Sequence, residues 1–438
     1  MNVLLILPAD LMYRCGGFFR RSLSYAPLTL TTLAALIPAE LSAQLTLIDE
    51  GIQRIDYERL AADVVGLTCV ASSSPRAAEL ATYWRRRGAY VVIGGAHATL
   101  APQEMVVYAD AVVVGPAERI WPALLRQYAR GVPARGIIRD DDPLPLPTVR
   151  PRRELLPRRG YLRIPTVLAA RGCAHDCAFC SIHHLWGHDC CCRPVQEVVE
   201  EIAQLGARRV LFLDPSQTCD REYAARLYEA LLPLEISWAG LATIDLAFDR
   251  ELLDLAVRSG CRGILTGFES LSQEAVDRCH KRTNDVGRYV EAVKGLHARG
   301  VGILGCFVVG FDGDTERTFG ELLEFVDRSH VDLPRFAILT PFPGTELYAD
   351  LRRDGRLLTE NRLYYDTEHV VFAPARMSPQ ELELGFIRLW QRSYTHSRMT
   401  RRVAGAPRGL KLLGLAANSG FRHYTGRLDQ RLRAGRRS

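Results

Sequence analysis

Short apolar runs rich in β-branched residues alternate with stretches of helix length twice along the 438 residues, and that alternation narrows the folds open to the chain. In the first series, residues 3–7, 44–49, 64–70, 90–94 and 111–115 read as strands, with helical stretches at 28–37, 57–62, 75–87, 102–108 and 118–130. Strands apolar on both faces and separated by helices belong in a parallel sheet covered on both sides. Residues 1–131 are therefore expected to form a doubly wound, Rossmann-like α/β domain with its ligand crevice at the carboxyl ends of the strands. Residues 132–164 break the pattern. Prolines crowd this stretch, including Pro143, Pro145 and Pro147 beside the acids Asp140, Asp141 and Asp142, and it reads as an extended linker.

A second series occupies 165–355, with strands expected at 166–170, 209–214, 236–243, 262–268, 302–310 and 335–340 and helices between them. Six βα units are too few for a closed eight-stranded barrel, so a partial (β/α)6 barrel is expected, its active-site loops at the strand carboxyl ends. Residues 356–438 read as a helical C-terminal region. One helix should begin near Ser378, whose side chain can cap it with Glu381 three residues on, and a basic tail follows from about Gly405.

No run of about 18 apolar residues is present, so no transmembrane segment is expected. The first residues lack the basic start and small-residue cleavage site of a signal peptide, which points to the cytoplasm. In that reducing compartment the twelve cysteines argue for metal ligation and burial rather than disulfides. The net charge of +6 is uneven: residues 398–438 hold eleven Lys and Arg against Asp429, a balance of +10, leaving −4 for residues 1–397. That tail reads as a solvated, Arg-rich segment dispensable for the chemistry. No nucleic acid is expected as a partner.

Residues 171–180 read Arg-Gly-Cys-Ala-His-Asp-Cys-Ala-Phe-Cys, which sets Cys173, Cys177 and Cys180 in a Cys-x3-Cys-x2-Cys spacing directly after the first strand of the second series. Three thiolates in one loop can fill three corners of a four-iron cluster and leave its fourth iron open. A zinc site would need a fourth protein ligand, which His175, His183, His184 or His188 could supply. Position favours the cluster, because the loop sits at the end of a barrel strand where chemistry is usually placed. Cys69, Cys261 and Cys306 lie in apolar strand contexts and read as core. Cys190, Cys191 and Cys192 could face the cluster, deliver a hydrogen atom, or do neither.

This spacing, with Phe179 as the aromatic residue before the third cysteine, resembles the signature of the radical S-adenosylmethionine (SAM) superfamily. The resemblance implies a [4Fe-4S] cluster on Cys173, Cys177 and Cys180 whose open iron chelates S-adenosyl-L-methionine. It implies reductive cleavage to a 5′-deoxyadenosyl radical, with electrons from an external flavodoxin- or ferredoxin-type donor or similar reductase. Gly267-Phe-Glu-Ser270, Gly310-Phe-Asp-Gly-Asp-Thr315 and Pro341-Phe-Pro-Gly-Thr345 fit the family's other strand ends. Glu269 resembles its SAM-binding polar residue, with a helix-capping carboxylate as the plain alternative. Gly310 and Gly313 mark a tight turn, and Asp214 to Gln217 stands where relatives carry a variable polar loop.

The first domain resembles the cobalamin (B12)-binding module of one radical SAM subfamily, on Asp49-Glu50-Gly51, on Gly94-Gly95-Ala-His-Ala-Thr99 and on Gly115-Pro-Ala-Glu118. The resemblance assigns Gly94 and Gly95 to cofactor binding. The chain departs from the pattern in lacking Asp-x-His-x-x-Gly, in Pro116, and in Ser24-Tyr-Ala-Pro-Leu28. Two activities follow. One is cobalamin-dependent C-methylation of a small, secondary metabolite, for instance in antibiotic biosynthesis. The other is a radical dehydratase or deoxygenase of an aminoglycoside or other sugar, with a vestigial cobalamin domain. A non-catalytic metal-binding protein is the reading from outside enzymology.

Overall fold

Two parallel six-stranded sheets, one from each alternating series, form the frame. The computed structural model describes residues 1–9, 25–140, 149–157 and 159–435. Ser24, Asp141, Asp142, Pro143, Pro145 and Pro147, singled out above, lie outside the described residues.

The first sheet contains β1 (Asn2–Leu7), β2 (Gln44–Asp49), β3 (Val64–Thr68), β4 (Tyr90–Gly94), β5 (Ala111–Val114) and β6 (Gly136–Arg139) in the order 2-1-3-4-5-6. All its pairs are parallel. Helices cover both faces, which is why β3 is buried at every residue. Three local expectations are corrected. The stretch 57–62 is only a 3-10 turn, Tyr57–Arg59, capped by the Asp56 carboxylate, because six residues between a turn and a strand leave no room for a second helical turn. The stretch 102–108 forms a single short turn of helix, Pro102–Met105. The segment read as pure linker begins with β6, which pairs with β5 from Gly136↔Ala111 to Arg139↔Val114: Gly136-Ile-Ile-Arg139 precedes the proline cluster and keeps all its N–H donors.

The second sheet runs β7 (Thr166–Val167), β10 (Arg209–Phe212), β11 (Ser237–Leu241), β12 (Cys261–Glu269), β13 (Gly302–Val309) and β14 (Leu333–Ile338), in spatial order 14-13-12-11-10-7 and parallel throughout. Strand β7 stops early because the Ala169 N–H leaves the sheet and donates to the Asp214 carboxylate at 2.7 Å. The chain then makes a small antiparallel ribbon, β8 (Ala170–Arg171) with β9 (Cys191–Cys192). Along β12 and β13 burial alternates residue by residue. One face packs under the helices, where Phe268 stacks on Phe307 at 5.1 Å and both meet Phe325. The other faces a partly open interior lined by Leu211, Leu241, Leu265, Leu304, Cys306 and Ala337.

After the barrel, Ser378 and Glu381 form the expected capping box on the helix Pro379–Ser393. The basic tail is not a solvated appendage. It forms the helices His396–Gly405 and Lys411–Gly435. Leu428 and Leu432 of the latter are fully buried, and Phe421 and Tyr424 close on Trp390 at 5.8 and 5.1 Å. Arg402, 1 % exposed, donates to the Ser393 carbonyl and, at 2.8 Å, to Oδ1 of buried Asn418, whose amide donates to the Asp332 carbonyl. The expectation of thiols without disulfides is also corrected: Cys190 and Cys219 are joined, their Cα atoms 6.2 Å apart, within ordinary disulfide reach.

Asn418→Ala would strand a buried guanidinium. It is expected to lower stability by about 2–3 kcal/mol in urea unfolding of the whole chain, a loss that a purely solvated tail would not show.

Candidate active site

The cysteine loop leaves β8 through Gly172, which holds φ +86°; a side chain there would run into the Asp189 carbonyl of the returning strand segment. Cys177 is buried, and Cys173 and Cys180 are half-buried. The loop is pinned from two sides: Ala178 N donates to the Cys279 carbonyl and Leu347 N to the Ala178 carbonyl, each at 3.1 Å. Phe179 meets the ring of Phe311, after β13, edge-on at 6.4 Å. All three cysteines are unpaired. Burial pushes the Cys177 thiol up to about 11 and raises that of Cys180, so ligation by a metal would release protons. Among the described residues, no three His, Cys, Asp or Glu side chains gather tightly enough to hold a single ion. Thiols that bind separate irons of one cluster need no such common point. His183 instead lies against the tilted ring of His184 at 3.9 Å and stacks with His188 at 5.1 Å.

Glu269 ends β12 in the left-handed region, φ +62°, at an irregularity in the β12–β13 register. A non-glycine residue held there is strained, and such strain gathers at functional sites. Glu269 does not cap the following helix; Ser272 does. Its buried carboxylate accepts from Lys281 Nζ at 3.1 Å. Burial works against the Lys281 charge, but Glu269 and the neighbouring Cys177 and Cys180 outweigh it and hold its pKa above the ordinary lysine value. Asn284 steadies the strand end by donating to the carbonyls of Gly267 and Phe268. Farther round the barrel, the Asp314 carboxylate accepts from Gly310 N and Phe311 N, closing the tight turn expected there.

A cavity of about 1120 Å³ lies between the two sheets. The first domain lines it with Gly66, Thr68, Gly94, Gly95, Gly115 and Glu118, from the ends of β3, β4 and β5 and the loops after them. Gly95 has φ +96°, and an added Cβ would sit 2.7–2.8 Å from Thr68 Oγ1 and the Cys69 backbone, so glycine is required where this wall packs on the end of β3. The barrel contributes Ala169, Arg171, Cys191, Cys192 and Arg193. Glu118 and Arg171, one from each side, form a buried ion pair, and the Arg171 guanidinium lies over the Trp186 ring at 4.7 Å.

The structure thus sets Cys173, Cys177 and Cys180 close to Glu269, and Gly94 and Gly95 in a separate wall reached through Arg171. Sequence reasoning passed over Lys281 and Arg171. Lys281 is twelve residues beyond Glu269, a spacing with no helix or strand period to reveal the pairing. Arg171 was legible only as the residue before the cysteine motif.

Residues 167–326 match the family model described as the radical SAM superfamily, and residues 36–125 match the B12 binding domain. The chain is 28% identical to bacteriochlorophyllide d C-12(1)-methyltransferase of Chlorobaculum tepidum, over 79% of this chain and 77% of that one. It is 26% identical to the C-8(2)-methyltransferase of the same organism, over 91% of each. Among solved structures it shares its fold with TsrM, a radical SAM methyltransferase from Kitasatospora setae, at TM-score 0.68 and 16% identity over 100% of both chains. The same holds for the cobalamin-dependent radical enzyme OxsB, at TM-score 0.66 and 13% identity over 99% of this chain and 80% of that one.

Asp214, buried at the end of β10, gives this region a pH signature. Burial raises its pKa to about 7, against the pull of the Ala169 and Ala170 N–H groups. Between about pH 4 and 7 the unfolded chain has lost a proton that the folded chain keeps, so stability should fall as pH rises through that window. Asp214→Asn, with the Gln217 amide turned so that its unpartnered Oε1 accepts, should remove that slope. The variant should unfold at higher urea than the wild type at pH 8.

Proposed function

This chain belongs to the radical SAM superfamily, in the group with an N-terminal B12-binding domain, and we propose that it methylates an unactivated carbon of a small metabolite. The observation that carries this reading is the shared cavity, walled on one side by the strand ends of the B12-binding domain and on the other by the segment leading into the cysteine loop. Methyltransferases are also what the two Chlorobaculum tepidum relatives are named. The donor set suits the groups involved: three unpaired thiols in one loop for a [4Fe-4S] cluster, and a glycine-walled slot for a flat, bulky corrin. When bound, the cluster and SAM supply a 5′-deoxyadenosyl radical and cobalamin supplies the methyl group.

In this reading Cys173, Cys177 and Cys180 hold the cluster, and Phe179 and Glu269 border the SAM site. Lys281 holds the Glu269 carboxylate in place through their 3.1 Å ion pair. Gly94 and Gly95 let a cofactor lie close against backbone, and the Glu118–Arg171 pair keeps that wall in register with the cysteine loop. The largely aliphatic inner face of the barrel receives the substrate and limits water near it. A soluble flavodoxin- or ferredoxin-type protein supplies electrons.

After anaerobic reconstitution, replacing all three cysteines with Ala should abolish both iron binding and 5′-deoxyadenosine formation. In the wild type, hydroxocobalamin should be required for turnover, and label from the SAM methyl group should enter product alongside S-adenosylhomocysteine. Gly95→Val should weaken cobalamin binding at least about tenfold while leaving iron content unchanged. A cobalamin-independent reaction giving 5′-deoxyadenosine and an unmethylated product would instead establish the dehydratase or deoxygenase reading.

A further inference from the structure

The first turns of the last helix carry leucines that none of the described residues covers. Leu412, Leu413 and Leu415 are 85, 64 and 48 % exposed, and Leu412 is the most exposed large apolar side chain among the described residues. Helical geometry places these three and Ala416 on one side. Asn418, Thr425, Leu428 and Leu432, which dock the same helix on the barrel, fall on the other. The leucines are therefore not a displaced core face.

Their place in the fold is defined. Leu410 lies against Gly302, at the start of β13, and Asn418 bonds to Asp332 just ahead of β14. The patch thus belongs to the amino end of the barrel, opposite the reactive loops. Its surroundings are basic. Arg408, which is exposed, and Lys411 directly precede the leucines, and Arg401 reaches Asp327 only at 3.9 Å. No acidic residue occurs between Glu383 and Asp429.

We infer that this face seats on an anionic membrane surface, with the leucines in the headgroup region and Arg401, Arg408 and Lys411 against lipid phosphates. Charge decides against a second copy as the occupant, because a two-fold contact would set the same cations against each other. Side chains that project this far suit a deformable layer. Attachment by this end leaves the cavity between the two sheets on the side away from the lipid.

The test is sedimentation of the full-length protein with vesicles of equal parts phosphatidylglycerol and phosphatidylcholine, beside vesicles of phosphatidylcholine alone. The wild type should bind the anionic vesicles, and raised salt should weaken that binding. Combined Leu412→Ser, Leu413→Ser and Leu415→Ser should lower the apparent affinity about tenfold or more, with unchanged circular dichroism and melting temperature. Arg408→Glu with Lys411→Glu should weaken binding in the same direction while sparing every leucine. The proposal is overturned if the wild type ignores anionic vesicles, or if both variants bind as it does. It is equally overturned if the wild type is a dimer in vesicle-free solution that the leucine variant dissociates.

Discussion

Where the two sheets turn their carboxyl ends toward one cavity, the Arg171 guanidinium meets the Glu118 carboxylate. Glu118 is 6 % exposed at its side chain and Arg171 19 %. Either charge left alone there would carry a desolvation penalty of several kcal/mol, so each residue fixes the other. Arg171 is also the last residue of β8, one residue before Gly172 and two before Cys173. Anything that shifts the loop after β5 therefore shifts the base of the cysteine loop. The Trp186 ring beneath the guanidinium limits that motion from the barrel side. A cavity built from two domains can hold reactive groups in register only with such a fixed joint, and the strand-end geometry on either side of it depends on this contact.

Much of this architecture was legible in the sequence because parallel sheets write themselves plainly. Strands buried on both faces must be apolar throughout, and 90–94 is legible to the residue for that reason. The edge strand 44–49 is legible although its Gln44 and Thr46 are exposed, because Leu45, Leu47 and Ile48 keep the apolar pattern. The Ser378–Glu381 capping box was readable because both partners lie within four residues. The cysteine spacing and Gly94-Gly95 were legible because local chemistry demands those residue types: thiols to hold metal, and glycine where the backbone itself forms the wall.

What escaped was contact between distant residues. Cys190 pairs with Cys219, 29 positions away, and Lys281 reaches Glu269 across a helix and a turn. Neither leaves a periodic trace. The terminal helix was misread for a different reason: its composition is polar and basic, yet its anchorage depends on a few sites. Leu428 and Leu432 go into the core, and the buried Arg402 donates to the buried Asn418. Charge balance over 40 residues says little about which two or three side chains are inside.

The barrel's open edge gives the first domain a structural role. Six parallel strands do not close, and the open edge falls at β7, which pairs over only two residues with β10. An edge so short, with a partly hollow interior beside it, would leave that interior open to water. The first domain and the linker lie on this side: Thr166 Oγ1 of β7 donates to the Ala26 carbonyl, and the linker is tied to the first domain where the Arg152 N–H donates to the Thr31 carbonyl and Tyr161 reaches the Asp49 carboxylate at the end of β2. The same surface that shields the open edge of the barrel thus carries the glycine-walled slot. A separate cofactor module could deliver its ligand, but it could not also serve as the missing wall. Fusion of the two folds in one chain makes shielding and cofactor placement consequences of a single interface.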